Sequence, residues 1–88
     1  MMEIQIDYYI LSGDKRMGDG QQIPKDQKLI LILKDDLDGM LFFETHNDEH
    51  KKLFWTNQEE VEFIETVVEN WDEEKINERN RYINGEFL

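Results

Sequence analysis

The pentapeptide His46-Asn47-Asp48-Glu49-His50 has the spacing in which two imidazoles one helical turn apart hold zinc while the glutamate activates water. That chemistry needs a long, supported helix and a third ligand. Here the pentapeptide lies in a short polar stretch between candidate strands, and a solvated loop is the better reading. Asp36, Asp38 and Gly39 match part of a calcium loop, but its first position would be Lys34 and its closing acid Thr45, so a β-turn accounts for them. Ser12, the single serine, has no placed base for nucleophilic catalysis. The glycines between Gly13 and Gly20 lack the G-x-x-x-x-G-K-[ST] pattern and a following helix to receive a phosphate. Paired carboxylates for glycoside hydrolysis could be drawn from many positions, but they require a cleft that a chain of 88 residues seldom provides. The expectation is a protein without catalytic residues, metal or cofactor.

The acid itself is the stronger signal. Twenty-one Asp and Glu against ten Lys and Arg leave a formal net charge of −11. From Asn57 onward ten acidic residues stand against three basic ones, so the surplus is concentrated in the last third of the chain. Self-repulsion on this scale costs stability unless a basic partner surface compensates for it. Glu62, Glu65, Glu69 and Asp72 recur at three- and four-residue spacing, and Glu73 and Glu74 extend the row. On a helix such carboxylates would follow one another at intervals of about 5 Å, comparable to backbone phosphates, and could occupy the basic groove of a nucleic-acid-binding protein. Direct contact with nucleic acid is disfavoured, because phosphate contacts need clustered Lys and Arg.

These residues must be held by elements that the hydropathy pattern outlines. A hydrophobic fraction of 39% with ten aromatics is too rich for a disordered acidic tail. One domain over residues 1–88 is expected. Ile4, Ile6, Tyr8 and Ile10 alternate with polar neighbours and read as a strand over Glu3–Leu11. Residues 12–27, with Gly13, Gly18, Gly20 and Pro24, read as a long mobile connection and a candidate binding loop. Lys28–Lys34 is apolar on both faces and suits a central strand, and with Met40–Thr45 it should form an antiparallel hairpin around the turn 35–39. Lys51–Trp55 could add a short fourth strand. Thr56-Asn57-Gln58-Glu59 fits a capping box, so a helix should start there and pack Val61, Ile64, Val68 and Trp71, flanked by Phe63 and Val67, on the sheet. The apolar phase slips after Asp72-Glu73-Glu74, which predicts a break near 72–75, a second short helix, and a left-handed cap at Asn84-Gly85 with Glu86-Phe87-Leu88 folding back on the core. The expected fold is therefore α+β: three to four antiparallel strands against one long acidic C-terminal helix, with a short terminal helix. The absence of cysteine fits a reducing cytoplasm, and no apolar run approaches the length of about 18 residues that a membrane span needs.

The size, the acidity and the order of strands before an acidic helix resemble phage-encoded DNA mimics that block restriction enzymes or CRISPR nucleases. Phe63-Ile64, Asn70-Trp71 and the acidic Asp72-Glu73-Glu74 are similar to a stretch of a small type II anti-CRISPR family. The resemblance implies that Glu69, Asp72, Glu73 and Glu74 face Arg-rich surfaces that normally receive DNA. The expected activity is non-enzymatic inhibition through Glu62, Glu65, Glu69, Asp72, Glu73 and Glu74, the partner a basic nucleic-acid-binding protein of the host. A second expectation is an accessory interaction module, of antitoxin or immunity type, that binds through residues 12–27 and the exposed aromatics Tyr9 and Trp55. The oligomeric state stays open, a homodimer included.

Overall fold

The alternation at the start of the chain forms β1 (Met2–Leu11), whose two faces lead to two different cores. The computed structural model describes residues 1–18 and 20–85; the expected fold-back of Glu86-Phe87-Leu88 lies outside them. After β1 come two short strands, β2 (Lys15–Arg16) and β3 (Gln22–Ile23), then β4 (Leu29–Asp35), β5 (Met40–Thr45) and β6 (Leu53–Asn57). A single 3-10 turn (Gln58–Glu60) leads into β7 (Val61–Trp71), and α1 (Glu73–Ile83) follows. The main sheet has five strands in the order β6-β5-β4-β1-β7, every pairing antiparallel, and β2 and β3 pair with each other.

β4 is the middle strand, and its doubly apolar pattern is used on both sides. On one face Leu29 joins Leu11, Leu41, Phe43 and Phe54 beneath Ile23 of the β2–β3 hairpin. On the other face Ile30 joins Ile6, Tyr8 and Trp71 beneath Ile76 of α1. The expected hairpin over 28–45 is formed, with Leu29 opposite Thr45 and Asp35 opposite Met40. Its turn is closed by the Asp35 carboxylate, which accepts from the Leu37 amide at 2.9 Å, and by Gly39 at φ 68°, where a side chain would be strained.

Two expectations fail here. Residues 12–27 are not a connection without regular structure: Lys15–Arg16 and Gln22–Ile23 pair as β2 and β3, and Ile23 is 1% exposed at the centre of a core. The long acidic helix is also absent. Val61–Trp71 is a strand, the main sheet has five strands rather than three or four, and the one α-helix among the described residues has 11 residues. Thr56, expected as a helix cap, is buried within β6, and its hydroxyl donates to the carboxylate of Glu60 across the 3-10 turn. The physical reason lies in side-chain branching and pairing. Val61, Ile64, Thr66, Val67 and Val68 are β-branched, which favours the pleated surface, and β1 offers β7 a partner along nearly its whole length.

The expected break at 72–75 is where α1 begins. Asp72 is its N-cap, its carboxylate accepting from the Lys75 amide at 2.8 Å, and Glu73 and Glu74 sit favourably at the positive end of the helix dipole. At the far end Gly85 adopts φ 80° and donates to the Tyr82 carbonyl.

Candidate protein-binding face

The six acidic residues lie along β7 and the first turn of α1, two elements joined at Asp72. Across the ladder Glu62 opposes Ile10, Glu65 opposes Tyr8 and Glu69 opposes Ile4. Directly opposed residues share a face, so all three glutamates lie on the face that α1 covers. A register shift between Tyr8 and Tyr9 makes this possible: Tyr9 pairs with Phe63, leaving Ile64 as the extra residue of a bulge. Without it Glu62 and Glu65, three residues apart, would point to opposite faces. The spacing read as a helical stripe is thus produced by an interrupted strand. Its consequence for mimicry is large, since Glu65 and Glu69 on a strand are separated by about 13 Å rather than one helical turn. The close match to phosphate spacing is not reproduced.

The carboxylates are not equivalent. Glu69 is committed to the fold, with Oε2 accepting from the Tyr8 hydroxyl at 2.5 Å and Oε1 from the Trp71 indole at 3.0 Å. These two donors stabilise the carboxylate and lower the pKa of Glu69 against an opposing effect of burial. Burial, together with the neighbouring carboxylates, pushes the Tyr8 phenol up. Around the pair, Lys28 lies 4.3 Å from the centre of the Tyr8 ring, Lys75 lies 4.0 Å from that of Trp71, and His46 meets Tyr8 edge-on. Glu65 has Lys28 at 3.8 Å, a long and exposed pair of little worth. Asp72 caps α1. Among the described residues, Glu62, Glu73 and Glu74 form no ion pair.

Three further lysines are paired away from this line. Lys51 bridges Glu44 and Glu78 and ties α1 to β5; burial alone would lower its ammonium, but the Glu78 hydrogen bond and Glu44 raise it. Lys52 pairs with Asp48 at 3.0 Å, and Lys15 with Glu60 at 3.4 Å.

The aromatics expected to be exposed are not. Tyr9 is packed edge-on between Phe43 and Phe63, with ring centres 5.1 and 5.5 Å away, and Trp55 lies 4.9 Å from Phe42. Trp71 is buried. The large apolar groups that do face solvent on β7 are Phe63, Ile64 and Val68, which the helical reading had assigned to packing. Residues 65–70 show no clean alternation, so only the density of β-branched residues pointed to a strand that would expose them.

The fragments with chemical spacing take other roles. His46 and Asn47 begin a turn, Asn47 at φ 54°, so the two histidines are not one helical turn apart. Burial first, with Lys28 and Lys75, lowers the His46 imidazole against the opposing charge of Glu69. Among the described residues no group of three His, Asp or Glu is placed to hold a metal ion. Ser12 lines a shallow hollow with Asp14, Lys15, Arg16, Glu59 and Glu60, which contains no imidazole. Among the described residues no helix is long and apolar enough to cross a membrane. Comparison of the chain with protein-family models, with curated proteins and with solved structures gives no match.

Proposed function

We propose that this protein is a non-enzymatic inhibitor of phage type, acting in the cytoplasm, that presents an acidic face to a basic nucleic-acid-binding protein of its host. One observation carries the reading: Glu62, Glu73 and Glu74 stand without an ion-pair partner among the described residues, beside Glu65 and Asp72, on a molecule of net charge −11. A fold that pairs Lys15, Lys51 and Lys52 with Glu60, Glu44, Glu78 and Asp48, and among the described residues gives this line only the long pair between Lys28 and Glu65, keeps a field that steers a cationic surface toward it. Phe63 and Val68, on the opposite face of the same strand, and Ile64 at the bulge supply exposed apolar area that charge alone does not. Mimicry in this form is of charge and not of phosphate spacing.

The reading is tested by competition. Labelled duplex DNA bound to CRISPR and restriction nucleases should be displaced by this protein, and the variant E62Q/E65Q/E73Q/E74Q should displace it at least roughly tenfold less well. Displacement by the variant at wild-type concentration would refute the role of these carboxylates.

A further inference from the structure

β7 is an outer strand of the main sheet, paired with β1 alone. Its 11 residues, at about 3.3 Å each, present an edge roughly 35 Å long whose outward N–H and C=O groups meet no strand among the described residues. Natural edges are blunted by shortness, proline, lysine or bulges. The opposite edge, β6, has five residues and is preceded by Lys51 and Lys52. β7 contains no proline and no lysine; its guards are the bulge at Ile64 and the charges of Glu62, Glu65 and Glu69, which repel an acidic strand and admit a basic one, and Glu65–Trp71 pairs with β1 without interruption.

The two faces beside this edge differ in chemistry. Glu62, Glu65 and Glu69 flank it on the α1 side. Phe63, opposite Tyr9, and Val68, opposite Gln5, flank it on the other side, Val68 being 61% exposed. Thr66 lies between them, its hydroxyl donating to Asp7 at 2.6 Å. A strand laid along β7 would place alternate side chains beside carboxylates and beside apolar groups.

We infer that the outer edge of β7 is a strand-addition site, and that its occupant is an extended segment of another protein in which basic and apolar residues alternate. The inference deepens the proposed function and rests on it for the sign of the partner's charge. Charge also decides against a second copy of this chain. An antiparallel copy related by a two-fold axis continues the sheet with the same face up, so it would add its own Glu65 and Glu69 to the acidic face. It would also bring together two bodies of charge −11. A basic segment removes the like-charge contact, and main-chain hydrogen bonds supply the affinity.

The test uses the full chain and three synthetic peptides of about nine residues: one alternating lysine and valine, one scrambled with the same composition, and one alternating but N-methylated at every second amide. The alternating peptide should slow hydrogen exchange of amides within Glu65–Trp71 and bind roughly tenfold more tightly than the other two. Val68→Lys, at an exposed position, should abolish that preference at unchanged Tm. Equal binding of all three peptides would overturn the strand-addition site and leave the acidic-face reading standing. Strand pairing that E62Q/E65Q does not weaken would overturn the basic occupant and count against the acidic-face reading. Protection of the same amides that rises with protein concentration, without peptide, would assign the edge to a second copy instead.

Discussion

Glu69 shows how one residue type takes different roles a few positions apart. Its carboxylate gathers a phenol and an indole from the core beneath α1, so Glu69→Ala should leave two part-buried donors unsatisfied and cost about 2 kcal/mol, read from denaturant unfolding. Glu62→Ala, which makes no such bonds, should change stability by less than about 0.5 kcal/mol. The same partners determine the pH response. Tyr8, Tyr9 and Tyr82 are each raised, first by burial. A raised phenol binds its proton more tightly when folded, so its stabilisation is complete below the ordinary value of about 10 and is lost as pH rises through the folded value. Ultraviolet titration should therefore show all three phenolates appearing late, and unfolding should become easier above about pH 10. Glu69, Glu78, Glu60 and Asp48 are lowered, by hydrogen bonds from Tyr8, Lys51, Thr56 and Lys52 respectively. Their contribution is present above the ordinary carboxylate value and disappears as pH falls through the lower folded values.

At the scale of elements, the sequence was clear where one period ran unbroken. β1 alternates through Ile4, Ile6 and Tyr8, β4 is apolar on both faces, and the break near 72–75 with a short helix after it follows a slip in apolar phase; each is where the pattern places it, though the cap at Asp72 was not foreseen. β7 was misread because a bulge at Ile64 inserts one residue, turning a period of two into spacings of three and four that imitate a helix. The density of β-branched residues was the contrary evidence, and pairing with β1 decided the outcome. The binding face suffered from the same error: the acidic residues were visible, but which of them the core would claim depends on tertiary neighbours such as Tyr8, 61 positions away from Glu69. Residues 12–27 were misread because Ile23 is a lone apolar residue whose burial no local period announces. Two substitutions check these assignments. Asp72→Ala removes the cap and should cost about 1 kcal/mol while reducing the helical signal in circular dichroism. Trp71→Ala, at the end of β7 beneath α1, should cost about 3 to 5 kcal/mol.

The whole molecule carries its surplus charge on a sheet covered on both faces, by α1 on one and by the β2–β3 hairpin on the other. Repulsion among charges totalling −11 works against the folded state, and added salt should raise Tm at pH 7, a gain that shrinks as the exposed carboxylates begin to protonate. Partner binding should show the opposite response, because salt screens the attraction between the acidic face and a basic surface. The decisive measurement is the dissociation constant for a nuclease whose DNA the protein displaces, from about 50 to about 500 mM salt, for the wild type and for E62Q/E65Q/E73Q/E74Q. The wild type should weaken steeply and the variant with a much shallower slope. Equal slopes for the two proteins would contradict the account.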